Sequence, residues 1–326
     1  MTIILNQKQI KKCVSISLES LNIIEKAFAE LSKGNAIMPP IMRLDIDENN
    51  GEVDVKTAYI KGLDTFAIKI SPGFFNNPKI GLPTTSGMMV LFDSNTGVLK
   101  AVLFDQGYLT DVRTAVAGAI ASKYLAKDSV SNVGIIGAGV QAKLQLEALL
   151  LVKKPKELRI WARNENSAKE YITEINNKYH FKKFICKTAQ EVTENSEIVI
   201  TTTPSKKPLI KAEWLHPGLQ ITAMGSDAEH KNEIDPQIIA ATDLYVCDNQ
   251  SQTSILGELH HAIEKGIVDK NKKYTEVGEI INGKKKGRKS DQEIIICDLT
   301  GTGVQDTAIA RFTFEKAIKN KMGLDI

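Results

Sequence analysis

The sequence predicts an α/β chain in which a mixed-sheet domain precedes a doubly wound parallel sheet. Turn-forming residues at Asn49-Asn50-Gly51, Pro72-Gly73 and Asn95-Thr96-Gly97 cut the stretch up to about residue 104 into strand-length apolar runs. After Ser131 strand and helix patterns alternate, as they do in a parallel sheet covered on both faces. A last helical pattern, over 304–319, follows the final strand; packed back on the first domain, it makes that domain discontinuous. The expected division is 1–127 with 304–326 for the first domain and 128–303 for the second.

Taken in order, Leu18, Leu21, Ile24, Phe28 and Leu31 recur at helical spacing, between Ser17 as N-cap and Gly34 as stop. Strands are expected over 42–46, 53–60, 66–70, 88–92 and 98–103, and Thr110 or Asp111 is expected to cap an alanine-rich helix ending near 125. In the second domain the strand patterns cover 133–136, 158–162, 184–187, 198–201, 220–224, 244–247 and 294–297. The basic run Lys284-Lys285-Lys286-Gly287-Arg288-Lys289 reads as a solvated loop.

Composition narrows the class of partner. The 326 residues are 42% hydrophobic, and 42 basic against 39 acidic side chains leave a net charge of +3, which gives no footprint for nucleic acid and no argument for a membrane surface. A small molecule is the expected ligand. Cys13, Cys186, Cys247 and Cys297 are widely spaced with no paired histidine pattern, so buried reduced thiols are expected rather than disulfides, and no metal site. The N-terminal residues carry no long apolar run of the signal-peptide kind and nothing approaches a membrane span, so a cytoplasmic protein is expected.

The first strand of the second domain runs into Gly137-Ala138-Gly139-Val140-Gln141-Ala142, a G-x-G-x-x-A pattern between an apolar strand and a helix start. Gly137 allows the tight turn, Gly139 lets the backbone approach a pyrophosphate, Ala142 permits close helix packing, and the helix N-terminus offers free N–H groups to phosphates. In this context the pattern reads as a Rossmann-type dinucleotide site. The second strand ends Trp161-Ala162-Arg163-Asn164, with Arg163 where an NAD-specific site places an acid. A guanidinium suits a 2′-phosphate, so NADP(H) is favoured and NAD(H) is the alternative. Thr203, just past the fourth strand, lies where the nicotinamide half passes.

Charged groups suggest the chemistry. Five ionisable residues crowd into Gly225-Ser226-Asp227-Ala228-Glu229-His230-Lys231-Asn232-Glu233, directly after an apolar strand, and α/β sheets place ligands at such strand ends. Asp227 is the candidate catalytic carboxylate; a solvated turn before a charged helix start, with Glu229 and Glu233 in its first turn, is the competing reading. In the first domain Lys69 stands between Ile68 and Ile70, either reaching to solvent or held where desolvation lowers its pKa. Arg43 and Arg113 are two further isolated cations, each suited to clamping a carboxylate and each, taken singly, readable as a surface residue.

The ordered succession Met42-Arg43, Ala67-Ile68-Lys69, Gly81-Leu82-Pro83-Thr84, Leu109-Thr110-Asp111-Val112-Arg113-Thr114-Ala115, Gly137-Ala138-Gly139-Val140-Gln141 and Gly225-Ser226-Asp227, with Lys231 and Glu233, resembles the ornithine cyclodeaminase/mu-crystallin family over nearly the whole chain. Within it, the 224–233 segment and Leu256-Gly257-Glu258-Leu259-His260-His261 are most similar to the ectoine-utilisation branch. The resemblance implies a homodimer built through a substrate-binding first domain facing a Rossmann domain. It implies that Arg43, Lys69 and Arg113 hold a substrate carboxylate, that Thr300 touches the substrate, and that Asp227, with Lys69, takes part in catalysis. Thr84, Arg113, Gly137, Gly139, Val140, Gln141, Arg163, Thr203, Gly225, Ser226 and Lys231 are the cofactor-contacting set expected from motif and resemblance together. The implied reaction is NAD(P)H-dependent reduction of an α-imino acid in catabolism of ectoine or a related amino acid. Its alternatives are a cyclodeaminase acting on an ornithine- or 2,4-diaminobutyrate-like substrate and a mu-crystallin-like binding protein. Ala162-Arg163-Asn164 departs from the acid of ornithine-acting members, and bulky Glu229-His230 departs from their small loop.

Overall fold

A computed structural model describes residues 2–326, which fall into two compact units, one running up to Arg113 and resuming over Thr302–Ile326, the other Thr114–Gly301. The first unit is built on an eight-stranded sheet. Its strands are β1 (Ile3–Asn6), β2 (Ala36–Ile37), β3 (Met42–Ile46), β4 (Gly51–Ile60), β5 (Thr65–Phe74), β6 (Met88–Asp93), β7 (Leu99–Phe104) and, from the chain end, β16 (Leu324–Asp325). The order is β16-β1-β7-β6-β5-β4-β2, with β3 also on β4, and every pairing is antiparallel except β1 with β7.

Period-2 alternation gives this sheet two unlike faces. The register sets Ala58 opposite Ala67 and Lys56 opposite Lys69, and Lys69 opposite Met89. Ala58, Ala67, Met89, Leu91, Ala101 and Leu103 are buried on this face. Helix α11 (Gly303–Lys319) lies on it: Thr307 donates to the Ala58 carbonyl at 2.7 Å and accepts from the Ala67 N–H at 3.1 Å. Gly303 approaches β4 so closely that a Cβ there would stand 2.2 Å from the Thr57 carbonyl oxygen. The other face carries Val55, Ile70 and Met88 in one row and Ile68, Val90 and Val102 in the next, all only half-buried. Phe66 and Phe92 stack on that face at 5.7 Å.

Helices α1 (Gln7–Cys13) and α2 (Leu18–Ser32) complete the unit, each opened by a capping box, at Asn6 and Ser17 respectively. Leu21, Ile24 and Phe28 are buried as their spacing predicts, whereas Leu18, in the first turn, is exposed. Helix α3 (Tyr108–Leu125) begins earlier than Thr110 or Asp111. Gln106 and Gly107 turn the chain with positive φ, and the Asp105 carboxylate accepts the Leu109 N–H at 2.8 Å, so the capping group lies on the far side of a turn that propensity does not register.

The second unit holds β8 (Asn132–Ile136), β9 (Glu157–Trp161), β10 (Lys182–Ile185), β11 (Ile198–Thr201), β12 (Gln220–Ala223), β13 (Leu244–Cys247), β14 (Thr275–Glu276) and β15 (Ile295–Asp298). All are parallel, in the order β10-β9-β8-β11-β12-β15-β13-β14. This is a Rossmann-type sheet whose order reverses between β8 and β11. Helices α4 (Val140–Leu149) and α5 (Glu165–Asn176) cover one face through Leu146, Leu149, Tyr171 and Ile175; α6 (Ala189–Glu194), α7 (Gln237–Ala241) and α9 (Glu258–Glu264) cover the other through Val192, Ile238 and Leu259. Short α8 (Gln250–Thr253) and α10 (Val277–Ile281) fill the connections around β14.

Further local expectations are corrected. Pro72-Gly73 does not end a strand: both lie inside β5, whose pairing with β4 continues through Val53 opposite Pro72 to Gly51 opposite Phe74. Strand β10 lies two residues earlier than 184–187, because an exposed edge strand takes its position from its pairing with β9 and carries little hydrophobic signal of its own. Strands β1, β2, β14 and β16 lie outside the expected set; β2, β14 and β16 are two residues each. No helix starts at Glu229–Glu233: the segment is irregular, and Glu233 is fully buried. In the basic run Arg288 is a clamp, donating to the carbonyls of Leu125 and Glu293, while Lys284, Lys285, Lys286 and Lys289 are exposed. All four cysteines are buried and free. Among the described residues no helix is long and apolar enough to cross a membrane.

Candidate active site

In the first unit the decisive group is one that sequence inspection missed. Asp306, in the first turn of α11, is completely buried and takes both isolated cations: Lys69 Nζ lies 3.3 Å from Oδ2, and Arg113 Nε lies 3.0 Å from Oδ1. Neither contact meets the angles of an aligned hydrogen bond, so the arrangement is an ionic triad. Burial by itself would raise the Asp306 carboxyl, and the neighbouring Lys69 and Arg113 overcome it and hold it below the ordinary range. Burial pulls Lys69 down to about 8, with Asp306 opposing that and Arg113 and Lys56 adding to it. Lys69 therefore does not reach to solvent. Two cations share one carboxylate, and Lys56, buried and opposite Lys69 across β4 and β5, adds to the positive field. Arg43 is placed differently: it pairs with Asp45 at 2.9 Å, Glu52 at 2.6 Å and Asp54 at 3.5 Å on β3 and β4. Thr84 is half-buried, and its carbonyl accepts the Phe74 N–H at 2.7 Å.

In the second unit the glycine-rich turn has the shape its sequence requires. Gly137 has φ +116°, and a Cβ on it would meet Thr202 Oγ1 at 2.6 Å; nothing stands within 4 Å of a Cβ on Gly139, the N-cap of α4. Gly137 is thus needed for conformation and close approach, while Gly139 opens onto free space at a helix N-terminus whose N–H groups have no side-chain cap. A cleft of about 370 Å³ runs from these glycines to Arg163, Asn164 and Ser167 on one side and Thr202 and Thr203 on the other. Val140 and Arg163 are exposed and Gln141 is half-buried. A dinucleotide fits this donor set: backbone N–H groups for a pyrophosphate, and a cation with a hydroxyl and an amide beyond it for the ribose end.

Asp227 follows β12 on the loop 225–233 and is partly exposed, with Lys231 Nζ 2.7 Å from its Oδ1. Lys231 is buried, and Ser226 Oγ donates to the Lys231 carbonyl at 2.6 Å, so Ser226, Asp227 and Lys231 form one local unit. Glu233 accepts from Thr201, Thr203 and Gly225. Thr300 is buried beyond β15, where its hydroxyl donates to Asp248 at 3.1 Å and accepts from Gln252 at 2.7 Å. Glu233 is visible in the sequence only as a member of the family succession or of a helix's first turn; Asp248 and Gln252 carry no motif at all.

The profile of the ornithine cyclodeaminase/mu-crystallin family matches residues 1–321. The chain belongs to that family. Within the family, it is 51% identical over 321 residues to an uncharacterised cyclodeaminase of Sinorhizobium fredii, covering 98% of this chain and 97% of that one. An archaeal alanine dehydrogenase dimer with bound NAD superposes with a TM-score of 0.92 at 35% identity, over 100% of this chain and 98% of that one. The Δ(1)-pyrroline-2-carboxylate reductase of Thermococcus litoralis, in complex with NADH and L-proline, superposes with a TM-score of 0.93 at 28% identity over the whole of both chains. This family member is an NAD(P)-dependent enzyme, of the reductase and amino-acid dehydrogenase kind or of the cyclodeaminase kind.

Proposed function

We propose that the protein reduces an α-imino acid to the amino acid with a reduced nicotinamide cofactor, NADP(H) by preference. The observation that carries this reading is the buried triad: Lys69 and Arg113 divide a single carboxylate between them, and a substrate carboxylate supplies the missing negative charge. Arg43, on β3, and Thr300 are assigned to contact with the same substrate from the family pattern.

Bound along the glycine-rich turn, the nicotinamide cofactor supplies a hydride equivalent to an acceptor carbon. The chain's own residues do the remainder. Lys69 and Arg113 fix the carboxylate so that the adjoining imine carbon has one orientation. Asp227, steadied by Lys231, manages the proton on the substrate nitrogen, so that the C=N bond becomes a C–N bond bearing a new hydrogen on each atom. The Asp227→Asn enzyme is expected to bind NADPH within about threefold of wild type while losing turnover by about a factor of 1,000, on the scale of general acid–base catalysis. Retained turnover would remove Asp227 from this role.

The preference for NADP(H) rests on Arg163 and Ser167 in the cleft, with no acid at the end of β9 to repel a 2′-phosphate. The alanine dehydrogenase and pyrroline-carboxylate reductase structures hold NAD and NADH, which makes NAD(H) the competing cofactor. The half-buried apolar face of the first unit's sheet supports a homodimer, and the archaeal relative is a dimer. The substrate is assigned to catabolism of ectoine or a related amino acid from the 224–233 and 256–261 segments, and the reduced thiols suit the cytoplasm. The cyclodeaminase reaction is retained as a second reading because the 51% identical relative carries that name.

A further inference from the structure

We infer that Glu233 is the positioning residue that holds the Asp227 loop in its working shape by tying the end of β11 to the start of that loop. The inference deepens the reading above and rests on the assignment of Asp227.

Glu233 closes the segment it terminates. One carboxylate oxygen, Oε1, accepts the Thr203 N–H at 2.6 Å and the Thr203 hydroxyl at 2.8 Å. The other, Oε2, accepts the Thr201 hydroxyl at 2.6 Å and the Gly225 N–H at 2.7 Å. Residue 233 thus captures the backbone of residue 225 and closes the loop on itself. Inside that closure Lys231 holds Asp227, and Ser226 holds the Lys231 carbonyl. The approach is tight enough to demand glycine, since a Cβ on Gly225 would lie 2.1 Å from the Thr203 carbonyl oxygen and 2.6 Å from the Glu233 carboxylate.

Glu233 is itself held from below. Glu258, the first residue of α9, accepts the Glu233 N–H at 2.8 Å, the Asn232 side-chain amide at 2.5 Å and the Ile234 N–H at 3.4 Å. Both glutamates are completely buried. A buried carboxylate with four donors on it is satisfied only as an acceptor at both oxygens. Glutamine cannot replace it: with its amide turned either way, the NH₂ group faces a backbone N–H, that of Thr203 or that of Gly225. The charge is thus used for geometry, and the same carboxylate reaches Thr203, which borders the cofactor cleft.

The test compares Glu233→Gln and Glu233→Asp with wild type. Readouts are imine turnover with NADPH, NADPH affinity by fluorescence titration, the kinetic isotope effect with 4-deuterated NADPH, and amide hydrogen exchange across the chain. Glu233→Gln is expected to lower kcat at least 30-fold with a smaller change in NADPH affinity, and to raise the isotope effect as hydride transfer becomes limiting. Exchange is expected to quicken at least tenfold in peptides spanning 201–205 and 224–231 and to stay unchanged elsewhere. Glu233→Asp keeps the charge but reaches one strand end at a time, so its loss of kcat is smaller; it also carries the test should the glutamine variant fail to fold. Wild-type kcat within twofold in either folded variant, or unchanged exchange in both peptides, would overturn the proposal. If wild type reduces no imine, the reading of function fails, and the exchange measurement still decides the role of Glu233.

Discussion

Lys69 shows how far a single residue can be read. Its apolar neighbours left two possibilities, exposure or desolvation, and only Asp306, far along the chain on α11, decides between them. With burial setting its pKa at about 8, Lys69 in the free enzyme loses its charge as pH rises through that value. The kcat/KM for a carboxylate substrate is therefore expected to decline above about pH 8, and Lys69→Met is expected to abolish that limb together with about 100-fold of kcat/KM. The sign for stability is the opposite. Between about pH 8 and the ordinary lysine value of 10.5 the unfolded chain binds more protons at this group than the folded one, so its contribution to stability grows across that window. Asp306→Asn removes the carboxylate that both Lys69 and Arg113 contact. A loss of about 3–5 kcal/mol in denaturant unfolding is expected, as for other broken buried ion pairs, with a rise in the substrate KM. Asp227 can be picked out because it lies just past a strand, whereas Glu233, six residues on, also fits a helix's first turn, and nothing local shows that it folds back under Gly225.

Among the elements, strands and helices whose hydrophobic period is strong were legible to within a residue or two. Helix α2 and its Ser17 cap, β4, β6, β7, β8, β11 and β13 all follow from pattern, whereas β5 runs four residues past its expected end because its pairing with β4 carries Pro72-Gly73 within the strand. What failed was set by partners: β10 by its pairing with β9, α3 by a turn with positive φ, the four-residue β1 by its pairing with β7, and β2, β14 and β16 by being too short to carry a period. The glycine-rich turn was legible for the opposite reason, since Gly137 answers a purely local demand of φ +116°. Gly303 answers a demand that is not local. Its absent Cβ lets α11 settle on the Thr57 carbonyl, so Gly303→Ala is expected to cost about 1–3 kcal/mol of stability, read as a lowered melting temperature. At the end of β9, Arg163→Glu is expected to weaken NADPH binding at least 30-fold and leave NADH binding within about threefold, since charge-assisted contacts to a phosphate are worth about 1.5–3 kcal/mol. Equal effects on both cofactors would assign Arg163 to general electrostatics.

At the scale of the whole molecule, the alternation of strand and helix after Ser131 was enough to predict a doubly wound sheet, because βαβ connectivity leaves few other topologies. The first unit's sheet has one face sealed by α11 and another lined by Ile68, Ile70, Val90 and Phe66, half-buried and apolar. Analytical ultracentrifugation is expected to find a dimer, and Ile68→Glu to shift it to monomer. A wild-type monomer at micromolar concentration would contradict the proposed assembly. The reaction is tested most directly by incubating the enzyme with preformed α-imino acids and, separately, with diamino acids, while ammonia and NADPH are followed together. Imine reduction predicts one NADPH oxidised per amino acid formed and no ammonia. Release of ammonia from a diamino acid, with the NADPH balance unchanged, would contradict it and make the enzyme a cyclodeaminase.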